Sequence, residues 1–131
     1  MANPALSWLA FFAVGLGGAM GCWLRWLLAV AFNHRMSELP MGTLIANLVG
    51  GFLIGLILGA ISHHPEWPVE WRLFLVTGFL GGLTTFSTFS AEAFGLIERG
   101  QVLFALLHIG AHVIGSIALC GVGFVLARSV V

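Results

Sequence analysis

The sequence predicts an all-α membrane protein of four transmembrane helices, and two observations carry that expectation. Of the 131 residues, 60% are hydrophobic before 18 glycines are counted, and only 8% are charged. Soluble domains hold about 25% charged residues, and a chain this short leaves too much surface in solvent for so few charges to cover it in water. The second observation is spacing. Charge-free runs cover residues 6–24, 41–61, 73–91 and 102–127, which are 19, 21, 19 and 26 residues long, and a hydrocarbon core of ~30 Å needs roughly 20 residues of helix. The connections are short, so residues 1–131 read as a single four-helix transmembrane domain in a lipid bilayer.

Prolines punctuate these runs and do not interrupt them: Pro4 precedes the first, Pro40 the second, and Pro65 and Pro68 lie between the second and third. Trp8, Trp23, Trp26, Trp67 and Trp71 fall near run ends, where an indole keeps its ring in the acyl boundary and its N–H in water. The first run carries Ala19-Met20-Gly21-Cys22, a faint likeness to a lipoprotein processing site, but it has no positive region ahead of it and is read as a retained span. Cys22 and Cys120 have no metal-ligand spacing and read as inert.

Five arginines balance five glutamates, with no lysine, aspartate or tyrosine, so there is no basic patch for nucleic acid. Arginines in short loops normally set membrane orientation. Here Arg72 and Arg128 fall on one side, Arg35 and Arg99 on the other, joined by Arg25 if its side chain snorkels outward. Two readings fit so small a bias: an orientation fixed by something else, or insertion both ways with assembly of an antiparallel dimer.

In the second run Thr43 and Asn47 share a four-residue ridge with Gly51, Gly55 and Gly59. Small residues at that spacing admit another helix closely, and a polar group in lipid needs a partner or a water-filled cavity. Asn47 alone fits either. In the third run the paired Gly81 and Gly82 precede a stretch rich in threonine and serine, which makes a poor continuous helix. A break is expected between Gly81 and Thr85, and in a bilayer freed backbone groups are tolerated only in protein or facing water or an ion. The competing expectation is a glycine-rich packing face whose hydroxyls bond their own backbone.

Phe86 and Phe89 lie three apart on one face. Aromatic ring edges are positive, so two edges aimed into a cavity can solvate a small anion without holding it fast. The fourth run places His108, His112, Ser116 and Cys120 at four-residue steps, a polar stripe facing the bundle interior. Histidines four apart can bind a metal, but with no carboxylate or third ligand nearby, metal binding is not the expectation. Glu92, just past the third run, reads as a near-interface or vestibule carboxylate.

Two segments then carry a resemblance: Gly42-Thr43-Leu44-Ile45-Ala46-Asn47-Leu48-Val49-Gly50-Gly51, and Gly78-Phe79-Leu80-Gly81-Gly82-Leu83-Thr84-Thr85-Phe86-Ser87-Thr88-Phe89-Ser90-Ala91-Glu92. With Arg25 and Gly115-Ser116, they resemble the small bacterial fluoride channels, the Fluc or CrcB-like proteins. The resemblance implies an antiparallel, dual-topology homodimer in the bacterial inner membrane whose two pores passively export fluoride and confer fluoride resistance. By the same likeness Asn47 and Ser116 donate hydrogen bonds to the ion, and Phe86 and Phe89 present ring edges along its path. Gly81 and Thr84 lend backbone carbonyls from both subunits to a structural sodium ion, Thr43 lines a pore mouth, and Arg25 lines a vestibule. His112 departs from the small hydroxyl residue expected one turn before Ser116, which makes that end of the polar track narrower or proton-sensitive.

Other classes fit less well. A proton-coupled small multidrug exporter of dual topology wants a carboxylate deep in the first span, which has none. A haem subunit wants paired histidines on two helices, and here both lie on one. Nothing points to an enzyme.

Overall fold

The computed structural model describes residues 4–34 and 39–130, and Arg35 of the orientation count lies outside the described residues. After a 3₁₀ turn at Pro4–Leu6, α1 spans Trp8–Phe32 and α2 spans Met41–His63. Helix α3 covers residues 69–83, α4 spans Phe86–Glu98, and α5 spans Val102–Val130. Among the described residues, four helical segments are long and apolar enough to cross a membrane, the third being α3 and α4 together.

Helix α1 starts where Ser7 accepts a hydrogen bond from the Ala10 amide at 3.1 Å, serving one of the free first-turn donors. It runs beyond the expected end at Leu24 for a reason the local sequence does not contain. The Arg25 Nε donates to the Gly82 carbonyl at 2.9 Å, so the charge is met inside the protein and the helix continues through it. At 25 residues and 1.5 Å each, α1 is about 38 Å long, more than a hydrocarbon core requires.

Glycine governs both main packing seams. A methyl on Gly55 of α2 would lie 2.8 Å from the Cys120 carbonyl carbon of α5, and one on Gly21 of α1 would lie 2.7 Å from the Leu83 nitrogen of α3. Only a residue without Cβ allows backbones this close, the device by which helices associate in lipid. The Gly51, Gly55 and Gly59 ridge therefore faces α5. The α1–α3 seam was not anticipated, although Gly17 with Gly21 and Gly78 with Gly82 repeat the same four-residue spacing.

Helix α3 is π-helical over Leu73–Leu80, between α-helical turns at Val69–Arg72 and Gly81–Leu83. Such wide turns are uncommon and cluster at functional sites. No feature of the sequence had pointed to them. Helical geometry then stops: Thr84 and Thr85 are extended, at φ −82°, ψ 155° and φ −150°, ψ 119°. Helix α4 begins with the Thr85 hydroxyl accepting from the Thr88 amide at 3.1 Å. It ends at Gly100 (φ +72°), where Gly100 and Gln101 amides return to the Ile97 and Leu96 carbonyls, both at 2.9 Å. That left-handed glycine cap lets α5 begin two residues later.

Candidate functional site

The site grows from the two extended residues. Asn47 of α2 grips Thr85 on both sides: its Oδ1 accepts from the Thr85 amide at 2.8 Å, and its Nδ2 donates to the Thr85 carbonyl at 3.0 Å. Those two bonds fix which way the amide points. The remaining Nδ2 hydrogen faces His112 Nδ1 at 3.0 Å. An amide nitrogen only donates, so Nδ1 accepts and the His112 ring carries its proton on Nε2. Both donors of Asn47 are thus engaged within the chain.

These bonds redirect the neighbouring backbone. The Thr85 amide, which would ordinarily close on the Gly81 carbonyl in a continuous helix, goes to Asn47. The Thr88 amide, ordinarily the partner of the Thr84 carbonyl, goes to the Thr85 hydroxyl. The Gly82 carbonyl is taken by Arg25. Gly81 and Thr84 therefore present carbonyls whose usual helical donors are used elsewhere, which suits oxygen coordination of a small cation.

A cavity of about 500 Å³ opens beside this turn, and Asn47, Thr84, Phe86, Phe89, His112 and Ser116 line it. Gly81 also lies on its wall. The structure thus gathers six of the seven residues singled out as a pore or cation path, from four helices and the turn. Ser116 reaches the Asn47 carbonyl over a long 3.4 Å contact. Phe86 is 79% exposed whereas Phe89 is buried, and their centroids are 5.5 Å apart at 54°. Phe89 stacks on His108 at 5.5 Å and 20° and leans on His112 at 4.8 Å and 38°. The two imidazoles, 4.4 Å apart, lie on the same side of Phe89 and hold that ring in place.

Thr43 is not on that cavity wall. It is buried one turn before Asn47, and its hydroxyl donates to Glu92 Oε1 at 2.7 Å. Glu92 is only partly exposed, and its Oε2 lies 3.4 Å from His108 Nε2. Contrary to the expectation that no carboxylate is nearby, one does stand beside the paired histidines. It comes from α4, sixteen residues upstream of His108 in the sequence, so no local spacing could show it.

A family model described as "CrcB-like protein, Camphor Resistance (CrcB)" matches residues 12–124. The chain is 52% identical over 124 residues to the fluoride-specific ion channel FluC of Ralstonia pickettii (strain 12J), covering 95% of this chain and 98% of that protein. It is 58% identical over 120 residues to the FluC of Bordetella avium (strain 197N), covering 92% and 94%. With the FluC of Pseudomonas syringae pv. maculicola it shares 48% over 110 residues, covering 84% and 87%.

Proposed function

From the premise that the chain belongs to the CrcB-like family and is a multi-pass membrane protein, we propose that it is a fluoride-selective channel that lets fluoride leave the cytoplasm passively across the inner membrane. The observation that carries the proposal is the cavity on which Asn47, Phe86, Phe89 and Ser116 converge. These are weak donors and positive ring rims with no lysine anywhere in the chain. Weak groups suit conduction, because a site that grips a hydrated anion too firmly stops releasing it. Fluoride meeting Asn47 must compete with His112 Nδ1 for the second amide hydrogen, so His112 takes part in setting how strongly that amide binds.

The working unit in this reading is an antiparallel homodimer with two pores. Its support is the nearly even arginine distribution together with the exposure of Phe86 and Gly81 on one chain, a cavity wall that a second copy would complete. A sodium ion held by Gly81 and Thr84 carbonyls of both copies would supply fixed positive charge and brace the turn. The redirected amides of Thr85 and Thr88 leave those oxygens suited to it.

Fluoride efflux from liposomes containing the purified chain tests the proposal. Fluoride efflux should far exceed that from protein-free vesicles, and also exceed chloride efflux from chloride-loaded vesicles containing the same protein. Efflux no faster than the protein-free control would reject it.

A further inference from the structure

We propose that Glu92, His108 and His112 form a binding site for a divalent transition metal of the zinc class, set beside the cavity and separate from the sodium position. Each offers one ligand atom, and the three atoms lie within 4.8 Å of one another. Among the described residues, four buried side-chain nitrogen or oxygen atoms lack a hydrogen-bond partner, and three of the four are Glu92 Oε2, His108 Nε2 and His112 Nε2. Three orphaned polar atoms converging in a buried pocket need a common partner, since each unserved group is costly in an apolar setting. The histidines are buried to 2% and 4% exposure, so bulk water is not that partner.

Geometry favours a tetrahedral metal. Zinc bonds of about 2.0 to 2.2 Å place neighbouring ligand atoms about 3.3 to 3.5 Å apart. His108 Nε2 and Glu92 Oε2 already stand 3.4 Å apart without a hydrogen bond between them. His112, with its ring centroid 4.4 Å from that of His108, supplies the third ligand atom within 4.8 Å of the other two. Two imidazoles and one carboxylate are the donor set of an open zinc site, with a fourth position for water or an anion. The outer shell is also present, because the Thr43 hydroxyl orients Glu92 through its other oxygen.

Metal capture has a structural consequence through His112. Coordination at Nε2 moves the ring proton to Nδ1, which then faces the Asn47 amide donor and loses its hydrogen bond. The bound metal also leaves a net positive charge beside Phe89, where the channel reading wants only weak attraction. This second consequence rests on that reading, and the metal site itself does not.

The test therefore measures binding first, without transport. Zinc titrated against a chromogenic chelator should show one ion per chain for the full-length protein, and cobalt should give the intense visible bands of a tetrahedral centre. His108→Asn, His112→Asn and the near-isosteric Glu92→Gln should each weaken zinc by at least about tenfold. The double variant His63→Ala with His64→Ala, away from the site, should bind as the unaltered chain does. Absence of stoichiometric zinc binding, binding that survives loss of both His108 and His112, or binding lost with His63 and His64 would each overturn the site. Vesicle measurements then add that zinc slows fluoride efflux reversibly in the unaltered chain and not in Glu92→Gln. If zinc binds as stated while no efflux occurs, the channel reading fails and the metal site stands.

Discussion

Replacing Asn47 with leucine tests whether that side chain holds the turn at Thr84 and Thr85. The substitution keeps similar bulk and removes three hydrogen bonds: two to the Thr85 main chain at 2.8 and 3.0 Å, and one to His112 at 3.0 Å. The Thr85 amide and carbonyl are then left without their partners. A buried polar group so stranded costs about 1 to 3 kcal/mol, which for two groups comes to about 2 to 6 kcal/mol. The lower figure applies, because Thr85 borders the cavity and water can reach it in part. For a chain of this size about 2 kcal/mol corresponds to a fall of roughly 8 °C in melting midpoint, readable in detergent from the five tryptophans. Asn47→Asp should be milder at the amide, since a carboxylate oxygen still accepts from Thr85, but it sets a second acceptor against the Thr85 carbonyl and His112. A leucine variant that melts like the unaltered chain would show that Thr85 is held by its own helix ends and not by Asn47.

Phe89→Met keeps much of the volume and deletes the ring quadrupole, so fluoride efflux should fall by at least an order of magnitude while the protein elutes unchanged; equal efflux would return Phe89 to packing. Reporter fusions at the carboxyl terminus should signal from both sides of the membrane, because the arginine counts differ by one at most; a signal from one side only removes the antiparallel arrangement. Gly55→Ala forces a methyl to 2.8 Å from the Cys120 carbonyl carbon and should destabilise the chain by about 1 to 3 kcal/mol. Gly15→Ala, where a methyl meets nothing within 4 Å, should be neutral or stabilising by up to about 1 kcal/mol; equal effects at the two glycines would refute the α2–α5 seam as described.

The four spans were legible in the sequence because lipid imposes one rule on every residue: a stretch long enough to cross must avoid charge, and that rule needs no knowledge of neighbours. Pairing of the glycine ridge on α2 with another helix was legible for the same reason, since a four-residue period is a property of one helix. The segment from Gly81 to Ser90 also announced itself, as paired glycines and clustered hydroxyls are poor helix formers whatever they touch.

Tertiary structure decided the rest. Arg25 ended a span on paper and sits inside one in space, because its partner is a carbonyl 57 residues away. Asn47 fitted an interhelical bond or a cavity, and it serves Thr85 and His112 while lining a cavity, a choice made by α3, α4 and α5 together. Glu92 looked remote from the histidines until α4 folded against α5 and brought Oε2 to 3.4 Å from His108. In each case the outcome depends on a hydrogen-bond or ligand partner supplied by another helix. Hydropathy is a sum over neighbours in the chain and can be read from a string, whereas the orientation of one amide or imidazole is fixed by atoms that only the fold brings within 3 Å or so.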